Sequence, residues 1–395
     1  MPQIAGFRGV VAQDVPKAGA PELGKALAAG TLTRDPSRAV YRYHQVFPGS
    51  GGRSFVRKTL VCAVRLAPWA ERSVRPHEAT VPAARDAALA AIRANGAHTA
   101  PVLAGFRDGP LEVDRLMRKF ESGRPTVELT TKDGTVHQIW RVQDAETLGK
   151  LRHYFAPKPL QVLEGHDRYE AMLAYHEELA AKHSIPTYSS ANYGLAYLVN
   201  LDDPMLTAAP RHRILRGLDA RGEAALAAAK SHFIVEKLAG AAKDVAKLQA
   251  ALADTVAHQP AFVIVFANEA DAWKLTLKPD VSPTAEGVPV DRAIQKLDPI
   301  AIQHMFLDRV MPKAQVTTET DAQTALAALG GGAGAGGAGG AGGADAVLVT
   351  RPVSVAQITH VAEHGQLLPA GSTAFYPPIA SGLISLVIDP DEDLV

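Results

Sequence analysis

Residues 164 to 168 read Glu-Gly-His-Asp-Arg, and each type has a use in phosphate chemistry. An apolar run ending at Val162 and Leu163 precedes them, and a helical pattern follows. A strand, a glycine and the first turn of a helix make a concave backbone whose unpaired N–H groups favour an anion. Gly165 lets the chain approach a ligand closely, and His166 and Arg168 add donors and charge. Phosphate is the natural guest, with Glu164 and Asp167 available as carboxylate ligands for a Mg²⁺ that bridges phosphates. The residues also allow a bland reading, in which Asp167 caps the helix, Glu164 pairs with Arg168 and nothing binds.

Three other groups carry chemistry. His77 and Glu78, in "RPHEAT", stand just before a helix, where a general base is well placed. They also suit a surface loop, and the zinc-protease pattern of two histidines four apart around a glutamate is missing. Arg211, His212 and Arg213 follow Pro210 and suit either an anion clamp or a solvated basic turn. Ser372, Thr373 and Tyr376, in "GSTAFYPP", either line a pocket or simply turn the chain. His360 and His364 have a metal-binding spacing, but no third ligand is readable, so no metal site of protein ligands is expected. The glycine-rich run at 330–343 lacks the Lys-Ser/Thr ending of a phosphate-binding loop.

Positioning these groups requires strands and helices in alternation. Alternating apolar and polar residues predict hairpins over 39–47 with 55–67, over "PTVELTT" with "TVHQIWRV" around Asp133-Gly134, and over 261–267 with 272–279. Helical spacing predicts helices over 83–96, 109–123, 144–155 and 168–183. A strand is expected at 193–201, and the Ala-rich segment from Arg221 to about His258 reads as mostly helical. "DPIAIQHMFLDRVM" and "TDAQTALAAL" read as further helices. The expected organisation is an N-terminal region 1–155 with hairpins and a central region 156–329 carrying the Gly-His-x-Arg turn. A flexible Gly/Ala linker at 330–344 and a strand-helix-strand segment at 345–395, packing back on the body, complete it. The fold class is α/β (α+β), with mixed sheets, hairpins and packed helices.

Composition narrows the function classes. With 395 residues, 47% hydrophobic, the chain can bury a real core. Forty-one basic side chains balance 41 acidic ones, which disfavours nucleic acid and anionic membrane as partners. A protein partner stays open. One cysteine, Cys62, excludes an internal disulfide and reads as a core residue. No apolar run approaches the ~20 residues that span a bilayer, and a cytoplasmic location is expected.

The motifs occur in a familiar order. "GFRG" at 6–9, "AVYRYHQVF", "PHEAT", "GHDRYEAML", "RHRIL", "KLDPIAIQHM" and "STAFYPPIASGL" together resemble a bacterial domain-of-unknown-function family, number ten-fifteen. That family is related to the ParB/sulfiredoxin superfamily, which includes a nucleotide-dependent free-serine kinase. The resemblance implies a ParB/sulfiredoxin-like core and a turn that holds the phosphates of ATP or ADP, with Mg²⁺. Glu78 is then the candidate base, with His77 beside it. Glu164, Gly165, His166, Asp167 and Arg168 face the phosphates, with His212 and Arg213 nearby. The family usually reads Asp-Gly-His-His-Arg at the turn and His-Glu-Arg-Thr near the base, so Asp167 and Ala79 replace a histidine and an arginine. Two functions therefore stand side by side: a kinase of small, amino-acid-like hydroxylated metabolites with a degenerate phosphate site, or a non-catalytic binding or scaffold protein of the same fold.

Overall fold

The computed structural model describes residues 4–14, 23–29, 32–49, 53–256, 259–330 and 343–395. Most of the expected Gly/Ala linker lies outside them. The architecture is mixed α/β with several sheets, and the chain divides into two units, Met1–Thr207 with Phe375–Val395, and Ala208–Ala374. The first division falls near residue 207 rather than 155, because strand Leu160–Glu164 is hydrogen-bonded into the sheet of the N-terminal strands. The C-terminal segment is shared between the units, its last strand, Ile384–Val387, pairing with Val10–Val11 and Ala97–His98.

The first unit is built on a nine-stranded sheet. Its order is Val74–Arg75, Leu160–Glu164, Val102–Phe106, Tyr193–Asn200, Ser54–Arg65, Val40–Pro48, Val136–Val142 and Val127–Thr130, with Ile4–Ala5 also on Ser54–Arg65. Both expected hairpins are present, with Phe47 opposite Phe55 and Glu128 opposite Gln138. Alternation sorts the strand residues onto two faces. Leu60, Cys62, Val64, Val102, Ala104, Val162, Ala196 and Leu198 share an apolar core with Leu89, Ile92, Met117, Leu151, Phe155 and Met172 of the helices. Burial pushes the Cys62 thiol well up, as suits a core residue. Tyr43, Gln45, Arg57, Thr59, Leu103 and Tyr197 lie on the opposite face and are also buried.

Helix ends follow local chemistry. Helix Pro82–Asn95 starts with proline in its first turn and ends at Gly96, whose φ of 56° suits glycine. Helix Ala145–Phe155 is capped by Asp144, whose carboxylate accepts from the Thr147 N–H at 2.9 Å.

The second unit holds a six-stranded antiparallel sheet, ordered Phe233–Leu238, Ala272–Leu277, Ala261–Phe266, Ala346–Val349, His212–Arg216 and Gln315–Glu319. Two elements differ from expectation. The Ala-rich stretch is broken by the Phe233–Leu238 strand between helices Gly222–Ala229 and Val245–Ala253, because six consecutive residues pair with Ala272–Leu277. "RHR" is not a solvated turn: His212 and Arg213 begin a buried strand with neighbours on both sides. "AIQHMFL" forms a π-helical stretch, Ala301–Leu307.

Candidate active-site turn

The turn at Gly165 has the backbone that the sequence implies. Strand Leu160–Glu164 ends, Gly165 takes φ 92° and ψ 38°, and helix His166–Ala180 begins with no side-chain cap. Asp167 therefore does not cap this helix. The strand also carries a register shift: Val162 faces Ala104, but Glu164 faces Leu103. Such a bulge re-aims a side chain, and it turns Glu164 to the face opposite Val162.

Arg168 folds back over the glycine. A Cβ at position 165 would stand 2.6 Å from its Nη2 and 2.8 Å from its Cζ. Its Nε donates to the Pro101 carbonyl at 2.9 Å, and Nη2 lies 3.6 Å from Glu164 Oε1. Glu164, Asp167 and Arg168 are all partly exposed.

Two histidines lock the turn to the "PHEAT" segment. The His77 N–H donates to His166 Nε2 at 3.3 Å, and His77 Nδ1 donates to the Val162 carbonyl at 2.7 Å. Their rings meet edge to face at 4.6 Å. His77 is 0% exposed and His166 5%. Burial pulls the His77 pKa down to about 4. Burial, with His77 and Arg168 adding to it, drives His166 far below the usual imidazole value. This corrects two expectations. His77 is a sealed, neutral ring that positions its neighbour, and His166 brings a neutral acceptor rather than charge. Glu78, next along, is half-buried. Two residues further, Thr80 Oγ1 donates to Glu170 Oε2 at 2.9 Å, and Trp69 Nε1 reaches Glu170 Oε1 at 3.1 Å, so the segment is tied to the same helix at both ends.

In the second unit the structure joins two motifs far apart in sequence. Arg213 Nη1 donates to the Gly371 carbonyl, and Arg211 Nε donates to the Thr373 carbonyl at 3.0 Å. His212 Nδ1 accepts from the Thr350 N–H at 3.1 Å, and burial pulls its pKa down to about 4. Ser372 and Thr373 are buried in this cluster. Tyr376 belongs to the first unit, where its ring packs on Phe47 at 5.5 Å. The His360 and His364 rings lie 4.1 Å apart, tilted by 46°, and among the described residues no group of three or more candidate ligands could hold a metal.

A family model described as "Protein of unknown function (DUF1015)" matches residues 6–300. The chain belongs to this family. No curated protein matches it. Among solved structures, a free serine kinase in complex with AMP is 10% identical, with a TM-score of 0.41 over 85% of this chain and 93% of its own. A conserved hypothetical protein from Pyrococcus furiosus is 9% identical, with a TM-score of 0.40 over 84% and 96%. SbnI with a C-terminal truncation, from Staphylococcus aureus, is 10% identical, with a TM-score of 0.36 over 81% and 85%. No helix among the described residues of this DUF1015 member is long and apolar enough to cross a membrane.

Sequence reasoning missed a polar group on the buried sheet face toward which the bulge turns Glu164. Arg57 donates from Nε to Gln45 Oε1 at 3.1 Å, and Tyr43 Oη bonds His137 Nδ1 at 2.6 Å. Tyr43 also packs edge-on against Tyr197 at 5.3 Å. The available signal was the alternation itself, which places Tyr43, Gln45 and Arg57 on one face.

Proposed function

We propose that this protein is a nucleotide-dependent kinase of small hydroxylated, amino-acid-like metabolites, acting at the Gly165 turn. The observation that supports it most is the His77–His166 lock. It holds Glu78 on a backbone tied to the phosphate-type turn, as a base beside a transferring phosphoryl group must be held. Phosphoryl transfer depends chiefly on positioning and charge neutralisation. The turn supplies the helix N-terminus and the Arg168 guanidinium. Glu78 takes the proton of the substrate hydroxyl, and the ParB/sulfiredoxin-like core belongs to the same reading.

Glu164 and Asp167 precede Arg168 in the turn, with Glu164 3.6 Å from its guanidinium, so residues 164–168 carry two carboxylates against one guanidinium. A polyphosphate there needs a cation. Partly exposed carboxylates without a protein-only cage fit Mg²⁺, which typically takes one or two carboxylates together with phosphate oxygens. Mg²⁺ with ATP or ADP would be held by Glu164 or Asp167 and would supply charge neutralisation.

The same excess of acid favours a second reading, a non-catalytic binding or scaffold protein that has kept the fold. One experiment separates them. Purified protein is incubated with ATP or ADP, Mg²⁺ and a panel of hydroxylated amino acids, and products are followed by ³¹P NMR. A new phosphomonoester is expected, with Glu78→Gln lowering its rate about 10²–10⁴-fold. No product with any nucleotide leaves the scaffold reading, and full activity in Glu78→Gln removes Glu78 from the mechanism.

A further inference from the structure

Position 57 is an arginine inside the strand-like run "FVRKTLVCAVRLA". Its side chain is 0% exposed. Nε and Nη2 both donate to one oxygen, Gln45 Oε1, while Nη1 is buried and, among the described residues, has no hydrogen-bond partner. Gln45 is neutral, and its own Nε2 is committed to the Pro378 carbonyl at 2.9 Å. Among the described residues no carboxylate pairs with this guanidinium.

Arg42, on the other face of the same sheet, is the internal comparison. It is equally buried at 2%, but Glu121 accepts from its Nε at 2.7 Å and Asp114 from its Nη2. A buried guanidinium hydrogen-bonded only to a neutral amide is costly, since the charge of Glu164 offsets its desolvation only in part. A second donor on Arg57's face has the same defect: Gln161 is buried, and its Nε2 has no acceptor among the described residues. Native proteins leave few such groups, and each calls for an explanation.

We propose that this face of the sheet binds an oxyanion, the carboxylate or phosphate group of a small ligand, on Nη1 of Arg57. Gln45 orients the guanidinium by taking its other edge. Tyr43, fixed by His137 and packed on Tyr197, makes a stiff wall beside it. Burial lowers the Arg57 pKa to about 10, with Tyr43 and Glu164 acting in the opposite direction, so the cation persists at neutral pH. The site is independent of the kinase reading, because it requires no nucleotide and no turnover.

Thermal unfolding of the full chain tests it, with sodium phosphate and sodium acetate in separate arms against sodium chloride at matched ionic strength. At least one arm is expected to raise Tm by about 2 °C or more at saturation. The effective arm distinguishes phosphate from carboxylate. Arg57→Gln is expected to abolish that rise, and Arg57→Lys to weaken binding about 10-fold or more, since one ammonium cannot serve both Gln45 and an anion. Should either variant fail to fold, a wild-type crystal soaked in selenate gives the second readout, with anomalous signal expected beside Nη1. No rise in either arm, an unchanged rise in Arg57→Gln, or selenate found only elsewhere overturns the proposal.

Discussion

Gly165 shows how one residue type becomes a structural requirement. Its φ of 92° is a backbone conformation that L side chains rarely adopt, and the Arg168 guanidinium fills the space a Cβ would enter. Gly165→Ala is therefore expected to cost about 1–2 kcal/mol. It should also displace Arg168 from the Pro101 carbonyl, because the guanidinium is the part able to move. Urea denaturation reads the cost as a lower midpoint at unchanged slope, and an unchanged midpoint refutes it. The glycine was legible in the sequence because a strand-to-helix turn calls for one. Arg57 was not. In an alternating strand a polar residue reads as the solvent side, and only the assembled sheet reveals that both of its faces are covered.

At the scale of elements, the hairpins and the helices ending at Gly96 or starting at Asp144 were legible because their signals are local: turn residues, caps and periods. Phe233–Leu238 was not, because its pairing with Ala272–Leu277 lies outside any local window. The re-aiming of Glu164 was equally hidden, since a bulge is a property of two strands together. Helix Glu112–Glu121 illustrates a further nonlocal effect. A glutamate at a helix C-terminus opposes the dipole. Glu121 is held there by Arg42, and by Lys58 at 3.2 Å. Burial acts to raise its pKa, but the His44 hydrogen bond and the charges of Arg42, His44 and Lys58 prevail and bring it to about 2. Glu121→Gln leaves Arg42 buried with Asp114 as its remaining carboxylate. The expected loss is about 2 kcal/mol, below the usual cost of breaking a fully buried pair because one partner stays and the site is partly wet. Chemical denaturation of the variant measures it, and a loss under about 0.5 kcal/mol would show that the network does not anchor the helix.

Across the whole molecule, the buried imidazoles set a pH limit. His77 and His98 in the first unit and His212 in the second each fall to about 4, chiefly through burial. The unfolded chain protonates its histidines near pH 6.5. Between about pH 6.5 and 4 the unfolded state therefore binds more protons than the folded state, so stability rises with pH across this window and is lost as pH falls. Full protonation of one such imidazole in the unfolded state alone amounts to roughly 3 kcal/mol. The depressed carboxylates titrate lower: Glu121 falls to about 2, so its contribution is present above the ordinary carboxylate range and lost only as pH drops toward 2. The two effects separate on the pH axis. Unfolding free energy is expected to fall by several kcal/mol from pH 7 to pH 4.5, and His77→Gln should flatten that slope although it removes the bond to Val162. Since His77 and His166 together fix the segment bearing Glu78, acidification in this window should also loosen the turn before the molecule unfolds. Hydrogen exchange at the amides of residues 77–80 and 165–168, compared at pH 7 and pH 5 after correction for intrinsic rates, reads this directly; equal protection at the two pH values would show that the histidine lock is not what holds the turn.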